Sequence, residues 1–242
     1  MIGWRRVFGL GLLMAVVLPL GAAAAEQKPQ MQPDAAPAVN LRLSYENRAI
    51  GQDGIIRDSR YSDLMYRRSG LVWIERELPA GVRESREHEH EHASPHAGHA
   101  HNEAQGAPLL ITQDAETGKV SVQVVLHNLQ RVIDVELAHY GNVGYGGSWA
   151  SAYWLVDPAA LSRMEKQGPV VDGIQHYLLQ KGERTTKVAW DVVGQYARSI
   201  EQQDSHGTSI QRMTATPFAD PQTLPWQPLA DYQRGDYSDL LD

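Results

Sequence analysis

Between Leu41 and Ala215 the chain repeats one pattern: a short stretch with apolar residues at every second position, then a polar turn. Period two is the spacing of side chains on one face of a strand, and it excludes long amphipathic helices over most of this span. Leu41, Leu43 and Tyr45 share one face. Tyr61–Arg68 and Leu71–Leu78 flank Ser69-Gly70, a two-residue hairpin turn in which glycine accepts a positive φ. Met65 and Tyr66, like Trp73 and Ile74, point to opposite faces, so both faces of this hairpin are expected to be covered. Leu109–Gln113 and Lys119–Leu126 flank Asp114–Gly118, with Val120, Val122, Val124 and Leu126 on one face, and Ile133, Val135 and Leu137 continue the period. Ile174–Gln180 joins Thr185–Asp191 through Lys181–Arg184, and Tyr196–Gln203 joins Thr208–Ala215 through Asp204–Gly207. Each strand can pair with its neighbour in sequence, so the expected fold is mainly β (α+β), an antiparallel meander with one or two short covering helices.

The clearest helix signal is Asp157 as a cap, Pro158 in the first turn, Leu161 and Met164 on one face and Gly168 at the end, about ten residues in all. The segment 141–148 is glycine-rich but lacks the spacing of a phosphate or dinucleotide loop, so it reads as a mobile connection. It leads to Trp149, Tyr153 and Trp154, which with Trp73 and Trp190 either fill the core or line an apolar cavity. The expected organisation is a signal peptide at 1–25, a flexible leader at 26–39 and a single β-rich domain at 40–216. A His-rich insertion at 84–106 interrupts that domain, and a Pro-rich, extended acidic tail follows at 217–242.

Arg5 and Arg6, the apolar run Val7–Leu20 and the small residues Ala22–Ala25 have the order of a secretory signal cleaved near Ala25. The run is shorter than the ~20 residues needed to span a bilayer, and no later segment approaches that length, so no transmembrane segment is expected in the mature chain. In a bacterium this address is the periplasm. A net charge of -7, made more negative by loss of the two arginines, argues against nucleic acid as a partner. The chain has no cysteine, which excludes disulfides, thiolate metal sites, a cysteine nucleophile and a lipid anchor on cysteine.

Six of the ten histidines fall in one short tract: His88, His90, His92, His96, His99 and His101. Imidazole is a good ligand for Cu(II), Zn(II) or Ni(II), and Glu87, Glu89 and Glu91 would concentrate cations beside it. In an extended chain alternate histidines stand about 6.6–7 Å apart, so a site requires bending, which Pro95 and Gly98 ease. Overlapping sites with modest selectivity are expected; the bland alternative is a solvated loop that titrates near pH ~6.5. Asp134, Glu136 and His139 are weaker candidates, better read as a solvated face. His127 is expected to point outward, His176 to be packed among apolar residues and His206 to sit in a turn. No nucleophile elbow, zinc-protease helix or catalytic carboxylate pair is present, so catalytic residues are assigned to none.

Two stretches, YRRSGLVWIERELP (66–79) and KVAWDVVGQYARSIEQQDSHGTSIQRM (187–213), resemble the periplasmic outer-membrane lipoprotein carrier and sorting group. The resemblance implies a curved, incomplete antiparallel barrel with helices closing an apolar cavity. The leading functional reading is a non-enzymatic periplasmic protein that captures, buffers or delivers a transition metal through the histidine tract. The alternatives are a carrier of lipid or another hydrophobic ligand and an envelope interaction protein.

Overall fold

The computed structural model describes residues 36–51, 53–78 and 106–240. They fall in one unit, Met31–Asp242, built on a twelve-stranded sheet. In chain order the strands are β1 (Val39–Ile50), β2 (Ile56–Arg68), β3 (Leu71–Arg76), β4 (Leu109–Gln113), β5 (Val120–Leu126) and β6 (Arg131–Val135). There follow β7 (Glu165–Val171), β8 (Ile174–Lys181), β9 (Arg184–Asp191), β10 (Tyr196–Asp204), β11 (Ser209–Pro217) and β12 (Gln233–Asp236). The spatial order is β12-β6-β5-β4-β3-β2-β1-β11-β10-β9-β8-β7, so the curved sheet does not close. Two antiparallel meanders, β1–β6 and β7–β11, meet where β1 pairs with β11, and only the β12–β6 contact is parallel. The expected hairpins are present. Gly70 has φ +63°, and a Cβ there would lie 3.1 Å from the Gln113 carbonyl oxygen, so both conformation and room select glycine.

Between β6 and β7 the chain crosses one face of the sheet, termed the inner face. It does so as a 3-10 turn (Leu137–Val143), helix α1 (Trp149–Trp154) and helix α2 (Pro158–Leu161). Register places Leu41, Leu43 and Tyr45 beside Met65, Asp63 and Tyr61 of β2, and Leu43 and Tyr45 beside Ala215 and Met213 of β11. This face carries the larger core, into which α1 drives Trp149, Tyr153 and Trp154. A second, smaller core lies on the outer face around Tyr66, Trp73, Val125, Val132 and Leu229. The hairpin β2–β3 is therefore covered on both sides, and its near-continuous apolar run reflects that.

Several expectations are corrected. The Asp157 cap is present, its carboxylate accepting from Ala159 N at 2.8 Å, but α2 is only four residues long and Gly168 lies within β7. The 141–148 segment is not a loose connection, because Tyr145 is buried in the inner core and Ser148 caps α1 by accepting from Ser151 N. The end of the leader is packed: Ala36 is buried and β1 begins at Val39. The tail does not run extended. It forms 3-10 turns at Gln227–Asp231 and Tyr237–Leu240 and contributes β12, because Phe218, Leu224, Trp226 and Leu229 have an apolar outer face to cover. Among the described residues no helix is long and apolar enough to cross a membrane.

Candidate functional site

The inner face is not filled throughout. Where β1, β2, β3, β10 and β11 pass beneath α1, a cavity of about 530 Å³ remains. Leu43, Ile74, Leu155, Ile200 and Met213 give it an apolar wall, and Asn47, Gln202, Gln211 and Arg212, the last ion-paired with Glu201 at 2.6 Å, add polar groups. A volume of this size falls within the ~300–1,000 Å³ of small-molecule sites, which combine an apolar lining with a few placed polar groups. Its width follows from α1 being only six residues long, with small Ser151 and Ala152 turned to the cavity while the aromatic residues at 149, 153 and 154 enter the core. A second cavity of about 350 Å³ shares Ile74, Ser151 and Ala152 with the first and runs toward Leu109, Ile111 and Tyr145.

The first cavity has an aromatic wall. Tyr45 and Tyr61, opposite each other in register, stack with ring centroids 4.7 Å apart. Arg76 lies 4.0 Å from the Tyr61 ring centroid, and its Nε donates to Asp63 at 2.6 Å. Burial, with the nearby Asp63 carboxylate, pushes the Tyr45 hydroxyl pKa up, so it stays protonated at neutral pH. Burial also raises Asp63 against the opposing pull of Arg76. Arg76 and Asp63 pair with each other while Arg76 packs on Tyr61, which fixes the tyrosine pair.

Arg67 holds the cover in place. It is fully buried, at 0% exposure, and among the described residues it has no carboxylate partner. Its guanidinium donates instead to four main-chain carbonyls: Pro37 (2.8 and 3.3 Å), Tyr153 (3.2 Å), Gly194 (2.6 Å) and Gln195 (2.7 Å). One side chain thus ties the segment before β1, the end of α1 and the β9–β10 turn, and it also lies 5.1 Å from the Tyr153 ring. The planar fork of arginine suits this task; a lysine ammonium presents three donors from one point.

The histidines assigned to metal, His88, His90, His92, His96, His99 and His101, lie outside the described residues. So do Glu87, Glu89, Glu91 and the signal segment. Among the described residues no group of three or more His, Asp or Glu side chains is arranged to hold a metal ion. Asp134 accepts from Gln123 Nε2 at 2.6 Å, whereas His139 stacks on Tyr237 with centroids 4.2 Å apart, so the Asp134, Glu136 and His139 set is not brought together. His206 is in its expected turn, 3.7 Å from Glu183. His176 is exposed, not packed as expected, because the β8 register turns Gln175 inward. His127 points outward from the sheet, but the tail reaches it: its Nδ1 is 2.9 Å from the Tyr232 hydroxyl and its ring 5.9 Å from Trp73. Burial lowers its pKa.

Arg67, Tyr45, Tyr61 and Tyr145 did not stand out in the sequence. The usable signal was Arg67, a charge two residues after Met65 on the face whose neighbours are apolar. Tyr145 was hidden among glycines.

No protein-family model and no curated protein matches the sequence. Solved structures do align with it at low identity. A LolA superfamily protein from Nitrosomonas europaea covers 78% of this chain and is itself covered over 91%, at 9% identity and a TM-score of 0.33. A domain provisionally assigned as an outer-membrane lipoprotein-sorting protein, from Vibrio parahaemolyticus, gives 79% and 89%, at 10% identity and a TM-score of 0.32. PNGF-II aligns over 84% of this chain at 12% identity and a TM-score of 0.34, and the chain spans about a third, 33%, of the PNGF-II length. The first two are of the group that the two sequence stretches resemble.

Proposed function

We propose that this protein is a non-enzymatic, exported carrier that holds a hydrophobic small molecule between the inner face of its sheet and α1. The observation that carries this reading is the cavity of about 530 Å³ between the inner face and α1, walled by Leu43, Ile74, Ile200 and Met213. Burying apolar ligand surface there supplies affinity at roughly 25 cal/mol per Å² before the costs of immobilisation. The N-terminal signal pattern supports export to the periplasm. Ser151 is exposed and lines both cavities, so Ser151→Trp fills them without displacing a core residue. Native purification without metal resin, followed by extraction and mass spectrometry, tests the reading: wild type should release an apolar small molecule and Ser151→Trp should not. An equal yield from both would refute it.

The density of histidines between His88 and His101 favours a second role in the same chain, transition-metal capture by that tract. Replacing residues 88–101 with Gly/Ser should abolish Cu(II), Zn(II) and Ni(II) binding in calorimetry while leaving the apolar cargo in place. Unchanged metal binding would remove the tract from the account.

A further inference from the structure

Strand register sorts the inner face into rows. Tyr61, Tyr45, Met213 and Ile200 lie side by side across β2, β1, β11 and β10, and all four line the larger cavity. The next row toward the β1–β2 turn, about 7 Å further on, is Ser59, Asn47, Gln211 and Gln202. Beyond it Arg57, Ala49 and Ser209 form a third. A rim cavity of about 220 Å³ is lined by these last two rows, and it shares Asn47 and Gln211 with the larger one. A largely apolar cavity and a polar one therefore adjoin across a row of three amides.

The amides have bonding capacity to offer. Asn47 Nδ2 donates to Ser59 Oγ at 3.3 Å, whereas the Gln202 and Gln211 side chains make no hydrogen bond among the described residues. Gln202 is half-buried and Gln211 exposed, so a ligand can reach both. The charged groups beside them are paired with one another: Arg57 with Asp53 at 2.8 Å, Arg48 with Asp58 at 3.8 Å and Arg212 with Glu201 at 2.6 Å. Arg212 falls between Gln211 and Met213, so strand alternation turns its side chain to the outer face, toward its register partners Glu46 and Glu201. A primary amide both donates and accepts, whereas a carboxylate only accepts and an ammonium only donates. Either ion would also give up hydration against neutral groups. A hydroxyl matches an amide in both roles and carries no charge.

We propose that the amide row receives the head of an amphiphile, an uncharged hydroxyl-rich group of the sugar or polyol class. The head bonds to Asn47, Gln202 and Gln211 and extends into the rim cavity, while the hydrocarbon lies in the larger cavity. The proposal rests on the hydrophobic-carrier reading and deepens it by naming the chemistry of the head.

Four compounds with one eight-carbon chain provide the test: octyl β-glucoside, 1-octanol, octanoate and octyltrimethylammonium. Each is titrated below its micellar concentration against N-phenyl-1-naphthylamine bound to the full chain. The glucoside should displace the dye at the lowest concentration, about tenfold below 1-octanol, the gain of one or two neutral hydrogen bonds. Gln202→Leu and Gln211→Leu should each weaken the glucoside about fivefold, and displacement by 1-octanol should stay at the wild-type concentration, which shows the cavity intact. If the glucoside does no better than 1-octanol, or keeps its affinity in both variants, the amide subsite is refuted while the carrier reading stands. A lead for octanoate or the ammonium would also overturn it, because a charge would then select the head. If wild type binds neither the dye nor any of the four compounds, the carrier reading fails and takes the subsite with it.

Discussion

Replacing Arg67 with methionine keeps a long side chain in the space but removes every donor from a site where four carbonyls converge. Hydrogen bonds from a charged donor contribute about 1.5–3 kcal/mol each, so the lower figure over four carbonyls gives roughly 6 kcal/mol. Against this, the free guanidinium no longer has to be desolvated without a carboxylate, a relief of roughly 2–3 kcal/mol. The expected net loss is about 3–4 kcal/mol. In a domain of this size that lowers Tm by roughly 6–16 °C. Urea denaturation followed by tryptophan fluorescence reads the loss directly. Hydrogen exchange should show it concentrated at Tyr153 and at Gly194 and Gln195, whose carbonyls this side chain joins. Arg67→Lys should fall between, because one ammonium cannot reach four divergent carbonyls. A methionine variant within about 1 kcal/mol of wild type would refute the reasoning, for it would mean that burial costs cancel the bonds.

Two pH effects follow from the outer face. The folded-state pKa of His127 lies below its ordinary 6.5 through burial, so its contribution is fully present above pH 6.5 and is lost as pH falls through the folded value. Acidification from pH 7.5 to 5.5 should therefore weaken docking of the tail, seen as increased proteolysis around Trp226, and His127→Phe should flatten that dependence. Glu75 behaves oppositely: burial raises it above its ordinary 4.5 although Trp73 Nε1 donates to it at 3.0 Å. The folded state then holds the proton more tightly, so stability is greatest below pH 4.5 and falls as pH rises through the folded value. Glu75→Gln keeps an acceptor for the indole and should remove that slope in urea titrations across pH 4–7; a persisting slope would assign it elsewhere.

The strands were legible because each hairpin carries its own signals, period two and a glycine-bearing turn, within a dozen residues. β7 was not, since Glu165–Val171 is exposed throughout and has no apolar face to alternate. β12 was not either, since it exists by pairing with β6 from the far end of the chain. The same locality explains the site. Leu43, Ile74, Ile200 and Met213 read simply as core positions, and only the shortness of α1 leaves a cavity among them. A buried arginine answered by main-chain carbonyls also has no carboxylate in the sequence to find: its hydrogen bonds are accepted by backbone atoms of Pro37, Tyr153 and Gly194.

Equilibrium titration with N-phenyl-1-naphthylamine, comparing wild type with Ser151→Trp at matched thermal stability, tests the central claim most directly. The inner-face cavity predicts saturable, single-site fluorescence enhancement in wild type and its loss in the variant. Absent binding in wild type, or equal binding by both proteins, would contradict it.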